Sequence, residues 1–209
     1  MSMQTQGSAA SALVDGETAY YLKTFTALAL ADARLDGIEF ESCTFVDCDL
    51  SSATLRRCRF IDCSFQGCTL NHAQLSSTRF TSTVFERCRL VGINWTAVDW
   101  SRLTRDAQVG FRDCVLNESS FFGLALDALV LQSCKAHAVD FREARLRAAD
   151  LTFSDFSSAL FGRTDLSEAD FSEATNYDID VLNNVVRHAK FSRFEAVRLL
   201  QGLDIEVVD

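Results

Sequence analysis

Bulky apolar residues recur at every fifth position through most of the chain. From Phe25 the series reads Phe25, Leu30, Leu35, Phe40, Phe45, Leu50, Leu55, Phe60, Phe65, Leu70, Leu75, Phe80, Phe85, Leu90, Trp95, Trp100. It resumes at Phe111 with Leu116, Phe121, Leu126, Leu131, Ala136, Phe141, Leu146, Leu151, Phe156, Phe161, Leu166 and Phe171. A helix repeats at about 3.6 residues and a strand at about 2, so neither accounts for a period of five. A coil with one straight side per five residues does. With the large residue called i, the residue at i−2 shares its inward direction, because alternate residues of an extended segment face the same way. That position is small in most repeats: Ala33, Cys43, Cys48, Ala53, Cys58, Cys63, Cys68, Ala73, and later Ala144, Ala149, Ser154, Ala159 and Ala169. A narrow interior holds one large and one small residue per side.

A second period gives the number of sides. Phe45, Phe65 and Phe85 form one column with Phe25, and Leu50, Leu70 and Leu90 form the next with Leu30. After the break, Phe121, Phe141 and Phe161 again lie twenty apart, as do Leu126, Leu146 and Leu166. Twenty residues per turn means four sides. The pattern therefore predicts an all-β fold, a right-handed quadrilateral parallel β-helix of about 7.5 coils. At the spacing of paired strands this is a rod roughly 36 Å long. The absence of proline fits, because nearly every backbone N–H is needed in the ladder between coils.

The periodicity also divides the chain. Residues 1–20 read as a flexible tail, 21–176 as the β-helix, and 177–209 as a capping and dimerisation segment. From Trp100 to Phe111 the count is eleven rather than ten, which predicts one extra residue and a bulge or small loop at 101–110. Near the C-terminus, Ser192-Arg193-Phe194-Glu195 has the spacing of a capping box that opens a helix. Phe194, Val197 and Leu200 would form its apolar face, and Leu203, Ile205 and Val207 alternate as in a short strand. Together with Phe191 these residues are the expected dimer interface.

Charge narrows the partners. The chain has 20 basic and 29 acidic residues, a formal charge of −9. Phosphates would repel such a surface, so no direct nucleic-acid binding and no membrane binding are expected, and a basic partner is. No apolar run reaches the roughly 18 residues of a membrane helix, and the first residues lack the basic start of a signal peptide, so the expected location is the cytoplasm. Residues 1–110 hold 12 acids and 10 bases, and 111–209 hold 17 acids and 10 bases. Asp140, Glu143, Asp150, Asp155, Asp165, Glu168, Asp170 and Glu173 make up the expected partner-binding acidic face, with Asp150 and Asp170 stacked on one side. Such carboxylates either keep a rod soluble or present anionic charge to a DNA-binding protein.

Candidate chemistry is sparse. Eight cysteines, Cys43, Cys48, Cys58, Cys63, Cys68, Cys88, Cys114 and Cys134, all occupy i−2. Their spacing is not that of zinc ligands, and they read as small buried hydrophobes, although Cys48, Cys68 and Cys88 would stack within disulfide range. His72, His137 and His188 fall in unrelated positions, and no nucleophile–base constellation or phosphate loop is present. No enzyme activity, metal or cofactor is expected from a bore filled by Phe and Leu.

The repeat, from about Phe25 to Thr175, resembles the pentapeptide repeat family. Val91-Gly92-Ile93-Asn94-Trp95-Thr96, the stretch Cys114 to Leu124, Asn176-Tyr177-Asp178-Ile179-Asp180, Ala189-Lys190-Phe191-Ser192 and Leu203-Asp204-Ile205-Glu206-Val207 are similar to its topoisomerase-protecting members. These are the Qnr and mycobacterial quinolone-resistance proteins and above all the albicidin-resistance proteins. The resemblance implies a DNA-like rod that dimerises through its C-terminal cap and binds bacterial DNA gyrase, with topoisomerase IV as a second candidate. It further implies resistance to an albicidin- or quinolone-like poison. An interaction scaffold of the same family with another partner is the alternative.

Overall fold

The computed structural model describes residues 17–100, 106–203 and 205. It is a parallel β-solenoid of about eight turns. The first side stacks Phe25, Phe45, Phe65, Phe85, Phe111, Leu131, Leu151, Phe171 and Phe191. Six of its strands are paired in one parallel sheet: Thr24–Thr26, Thr44–Val46, Ser64–Gln66, Thr83–Glu86, Val109–Arg112 and Val130–Gln132. The second side carries Leu30, Leu50, Leu70, Leu90 and Leu116, and the third Leu35, Leu55, Leu75, Trp95, Phe121, Phe141 and Phe161. The fourth begins with Tyr20, Phe40, Phe60 and Phe80 and continues through Leu126, Leu146 and Leu166. Every large residue of the fivefold series is buried except Phe25, Trp100 and Phe161, which are half-buried. Rings in one column lie face to face, as in Phe45–Phe65 at 4.6 Å, and rings on adjacent sides meet edge-on, as in Phe40–Phe45 at 5.2 Å. Both geometries suit the ring quadrupole.

Each repeat position has its own backbone task. The N–H at i−1 donates to the coil before it, as Asp49 does to the Leu28 carbonyl at 2.8 Å. The N–H groups at i and i+2 donate to the coil after, as Leu50 does to Thr69 and Ser52 to Asn71. The residue at i+2 turns the corner with a left-handed backbone, φ near +55° at Ser52 and +52° at Asp47. Two glycines there meet a further demand: a Cβ on Gly67 or Gly92 would collide with the side chain of Asp47 or His72 from the coil before.

The i−2 residue closes the corner in one of two ways. Where it is alanine, its N–H returns to the preceding large residue, as Ala53 does to the Leu50 carbonyl at 3.1 Å. On the second side's cysteine column the side chain takes over. Cys68 Sγ donates to the Phe45 carbonyl at 3.4 Å, and accepts the Cys48 N–H at 3.4 Å. Ser154 does the same between the Leu131 carbonyl and the Cys134 N–H. The cysteines are therefore buried and free, as expected, yet they act as hydrogen-bonding groups that join coils rather than as plain hydrophobes. Burial pushes the Cys63 thiol up to about 11, and the adjoining Cys114 thiol together with burial pushes Cys88 up to about 12. Thiolates of Cys63 and Cys88 are thus scarce at neutral pH.

Four sequence expectations need correction. Phe111 pairs with Phe85, so this coil has 26 residues, six beyond twenty. The extra length is one whole repeat plus one residue, not a single residue, and counting in fives conceals the whole repeat. Its residues 101–105 lie outside the described residues. Residues 19–20 belong to the first described strand rather than to a tail, since Tyr20 is buried and stacks on Phe40 at 5.3 Å. The solenoid also runs beyond 176. Tyr177 and Ile179 are buried, Val185 bridges Asp165, and Lys190–Phe191 pairs with Asp170–Phe171. Phe191, half-buried and stacked on Phe171 at 5.1 Å, is a rung of the solenoid rather than part of a separate cap.

The fourth correction concerns the cap. Glu195–Leu203 forms a 3-10 helix, so Leu203 lies in a helix and not in a strand. Ser192 and Glu195 do not form a capping box. The last coil leaves N–H groups with no coil to receive them, and these two side chains accept them: Glu173 N–H to Ser192 Oγ at 2.6 Å, and Asn176 N–H to Glu195 Oε2 at 2.9 Å. Each side-chain oxygen takes the place that a backbone carbonyl of a further coil holds elsewhere in the ladder.

Cys68→Ala removes the partner of the Cys48 N–H and one of the donors to the Phe45 carbonyl and should destabilise by about 1–3 kcal/mol. Cys68→Ser should recover most of that loss. Urea unfolding of both variants checks this, and equal stability of the two would refute the hydrogen-bonding role.

Candidate functional site

The aspartates of the C-terminal half sit mainly at i−1, and the backbone gives a reason. In the turn that follows, the i+1 N–H points back along the chain, and a short carboxylate at i−1 is placed to accept it. Asp140, Asp150, Asp155, Asp165 and Asp170 take the N–H of Arg142, Thr152, Ser157, Ser167 and Ser172 at 2.9–3.1 Å, each through Oδ1. Asn94 does the same for Thr96 at 3.1 Å, so the turn needs the oxygen and not the charge. Oδ2 remains to meet a cation.

The solenoid distributes the eight expected acids over all four walls. Asp150 and Asp170 pair directly on the first side, with Glu173 at its corner. Asp155 lies on the second side between Lys135 and Thr175, and Asp140 on the third between Ser120 and Leu160, with Glu143 at the corner. Asp165 lies on the fourth between Arg145 and Val185, with Glu168 at that corner. They form a belt, not a face. Successive repeats turn the chain by a quarter, so only acids twenty residues apart share a wall.

Several belt carboxylates are already paired. Arg142 reaches Asp140 Oδ2 at 2.8 Å, Lys190 reaches Asp170 Oδ2 at 2.9 Å, and His137 Nε2 lies 2.8 Å from Asp155 Oδ2. Arg163 contacts Glu143, and Arg147 lies 3.9 Å from Glu168. Asp150, Asp165 and Glu173 have no ion pair among the described residues. The Arg142 guanidinium holds the Asp140 carboxyl below its usual value. Burial opposes ionisation of Asp155, but hydrogen bonds from Asn176, Ser157 and His137 outweigh it and hold its carboxyl well below the usual carboxylate range. Hydrogen bonds from Ser172 and Lys190 likewise outweigh burial at Asp170 and hold its carboxyl below the usual value. Between 140 and 173 the belt counts eight acids against four arginines, a net −4. That stretch is ~8 Å of axis at ~4.8 Å per coil, or about one net charge per 2 Å. Duplex DNA carries one per ~1.7 Å.

A second surface lies at the C-terminal end. Phe194 is 89% exposed, and Val197, Leu203 and Ile205 are exposed beside it. Leu200 is half-buried, Leu199 rather than Phe194 packs inward, and Val207 lies outside the described residues. Leu182 on the third side and Val185 on the fourth are also exposed. Sequence reading missed these two, although apolar residues at outward positions were the available signal. Among the described residues no group of His, Cys, Asp and Glu could hold a metal ion, and no helix is long and apolar enough to cross a membrane.

The family model described as the pentapeptide repeat region matches residues 24–105 and 107–171. The chain is a pentapeptide repeat protein. Among solved structures, it resembles a trypsin-treated variant of QnrB1, a plasmid-mediated fluoroquinolone resistance protein, with a TM-score of 0.60 and 19% identity over 92% of this chain and all of that one. Full-length QnrB1 aligns at a TM-score of 0.38 and 19% identity, covering 90% of this chain and all of that one. HetL, a pentapeptide repeat protein involved in heterocyst differentiation regulation from the cyanobacterium Nostoc sp. Strain PCC 7120, aligns at 0.34 and 15% identity, covering 90% of this chain and 95% of that one. At such identity the likeness to QnrB1 is one of fold. No curated protein sequence matches the chain.

The depressed carboxyl of Asp155 links stability to pH. Its folded value lies below the ordinary 3.8 of an aspartate, so its contribution is complete above that pH and is lost as pH falls from there through the folded value. Asp155→Ala should therefore be less stable than the parent at neutral pH, and the gap should shrink between about pH 5 and about pH 2. Urea unfolding across that range measures it; a gap independent of pH would contradict the assignment.

Proposed function

We propose that this pentapeptide repeat protein binds bacterial DNA gyrase as a DNA mimic and confers resistance to an albicidin- or quinolone-like topoisomerase poison. The observation that carries the reading is the carboxylate belt, whose net charge per unit length approaches that of a duplex and which surrounds the rod on every side. A basic cleft built for DNA would meet carboxylates whatever the rotation of the rod within it. Arginine and lysine of the partner would displace the protein's own exposed partners at little cost, since surface ion pairs are individually weak. The matched C-terminal segments and the fold shared with a fluoroquinolone resistance protein support the same reading. The exposed residues Phe194, Val197, Leu203 and Ile205 would join two copies end to end and double the length of the charged rod.

A scaffold with a different partner is the rival reading. It is favoured by the pairing of Asp140, Glu143 and Asp170 with arginine or lysine of the same chain, which lowers the charge presented. Retention of gyrase from a bacterial lysate, against retention of unrelated proteins alone, separates the two.

Asp150→Asn with Asp170→Asn tests the mechanism, because asparagine keeps the turn oxygen and removes the charge. The pair should retain its melting temperature, bind gyrase more weakly and show a smaller dependence on salt. Supercoiling assays with albicidin and with ciprofloxacin read out protection. A parent protein that neither inhibits gyrase nor rescues it from either drug removes the proposal.

Phe194→Asp should convert the dimer to a monomer in analytical ultracentrifugation without changing the melting temperature of the solenoid. A parent protein that is already monomeric at micromolar concentration refutes the end-to-end assembly.

A further inference from the structure

The N-terminal half holds a feature of opposite sign. At the corner between the third and fourth sides, Arg57 and Arg59 come from one coil, Ser77 and Arg79 from the next, and Asp99 from the one after. These five residues line a notch of about 280 Å³. Arg59 and Arg79 are direct partners in a parallel strand pair, so two like charges stand one above the other. Directly opposed like charges destabilise a sheet. The two guanidinium groups relieve this by turning apart, Arg59 to Glu39 in the coil before and Arg79 to Asp99 in the coil after. At the same corner Arg56 and Arg57 share the single carboxylate of Asp36. Four guanidinium groups therefore face three carboxylates, a local positive excess in a chain of net −9. Ser77, exposed at the left-handed corner, lines the notch beside the arginines.

We infer that this notch is a binding site for a phosphate group, held by Arg57, Arg59, Arg79 and the Ser77 hydroxyl. A tetrahedral dianion can accept from several guanidinium groups at once, which a single carboxylate cannot. It would also remove the repulsion between the stacked arginines. Half or more of each arginine side chain is exposed, so exchanging a carboxylate partner for phosphate costs little. The phosphate group belongs either to a free anion or to a nucleic-acid backbone. The site is separate from the carboxylate belt and does not depend on gyrase binding.

The test compares the full chain with Arg59→Gln/Arg79→Gln, with Ser77→Glu, and with Arg112→Gln as a control outside the notch. Glutamate already occupies the equivalent left-handed corner position at Glu118, Glu143 and Glu168, so Ser77→Glu is compatible with the fold. Thermal unfolding in sodium phosphate is set against sodium chloride of equal ionic strength. Phosphate stabilises proteins generally, so the difference between variants is the readout. The parent and Arg112→Gln should gain more from phosphate than either notch variant, and titration should show about a tenfold loss of phosphate affinity in the notch variants. A second arm follows the anisotropy of a short labelled duplex DNA. Binding that inorganic phosphate displaces and the notch variants lose assigns the phosphate to a nucleic-acid backbone; no duplex binding assigns it to a free anion. An equal phosphate effect in the parent and both notch variants overturns the site.

Discussion

The structure depends on the hydrogen-bond ladder between successive coils. Every turn of a four-sided tube has to hand its backbone donors and acceptors to the turns on either side, with the bore too narrow for water to help. The N–H at i−1 reaches backward while those at i and i+2 reach forward, so one coil is incomplete without its neighbours. The consequences run through the whole sequence. Proline is absent, since it would remove a donor. The bore accepts one large and one small residue per wall. The small residue also has to settle the corner, either as alanine beside a closed turn or as cysteine, serine or threonine bonding between coils.

Surface chemistry is built on the same ladder. Asp140, Asp150, Asp155, Asp165 and Asp170 stand at i−1, where one carboxylate oxygen accepts a turn N–H and the other faces outward. A single residue type thus serves the fold and the electrostatic surface together. Asn94 shows that the fold alone would be content with a neutral amide. The choice of aspartate in the C-terminal half is what gives that half its field, and the quarter-turn per repeat spreads it around the axis.

The two ends of the ladder pose a problem that the middle does not. At the C-terminal end, donors point toward a coil that does not exist. Ser192 and Glu195 supply oxygens to the Glu173 and Asn176 N–H groups and so close the edge. With the polar groups answered, the remaining outward surface of the 3-10 helix is free to be apolar, and Phe194 and Val197 are left exposed. The end of the solenoid is thus closed in its polar groups and apolar on its outer surface.

Counting by fives and twenties was enough to establish the tube, its four walls and the columns of Phe45, Leu50, Phe121 and their kin, because burial of a large side chain once per wall leaves a direct mark on the sequence. The i−2 cysteines were legible as buried for the same reason. Other features required the tertiary structure. The insertion after Trp100 is six residues long, and a count in fives cannot see a whole repeat that has been added. The acids form a belt rather than a face, since neighbours along the chain are turned apart in space. Ser192 and Glu195 have the spacing of a helix cap, yet they bind the preceding coil, whose unpaired donors are nearer and otherwise unanswered. The sequence by itself determined what must lie inside, through the size and period of its apolar residues. Only the stacked coils decided which polar groups meet, because those partners lie about twenty residues apart and are joined by hydrogen bonds that leave no periodic trace of their own.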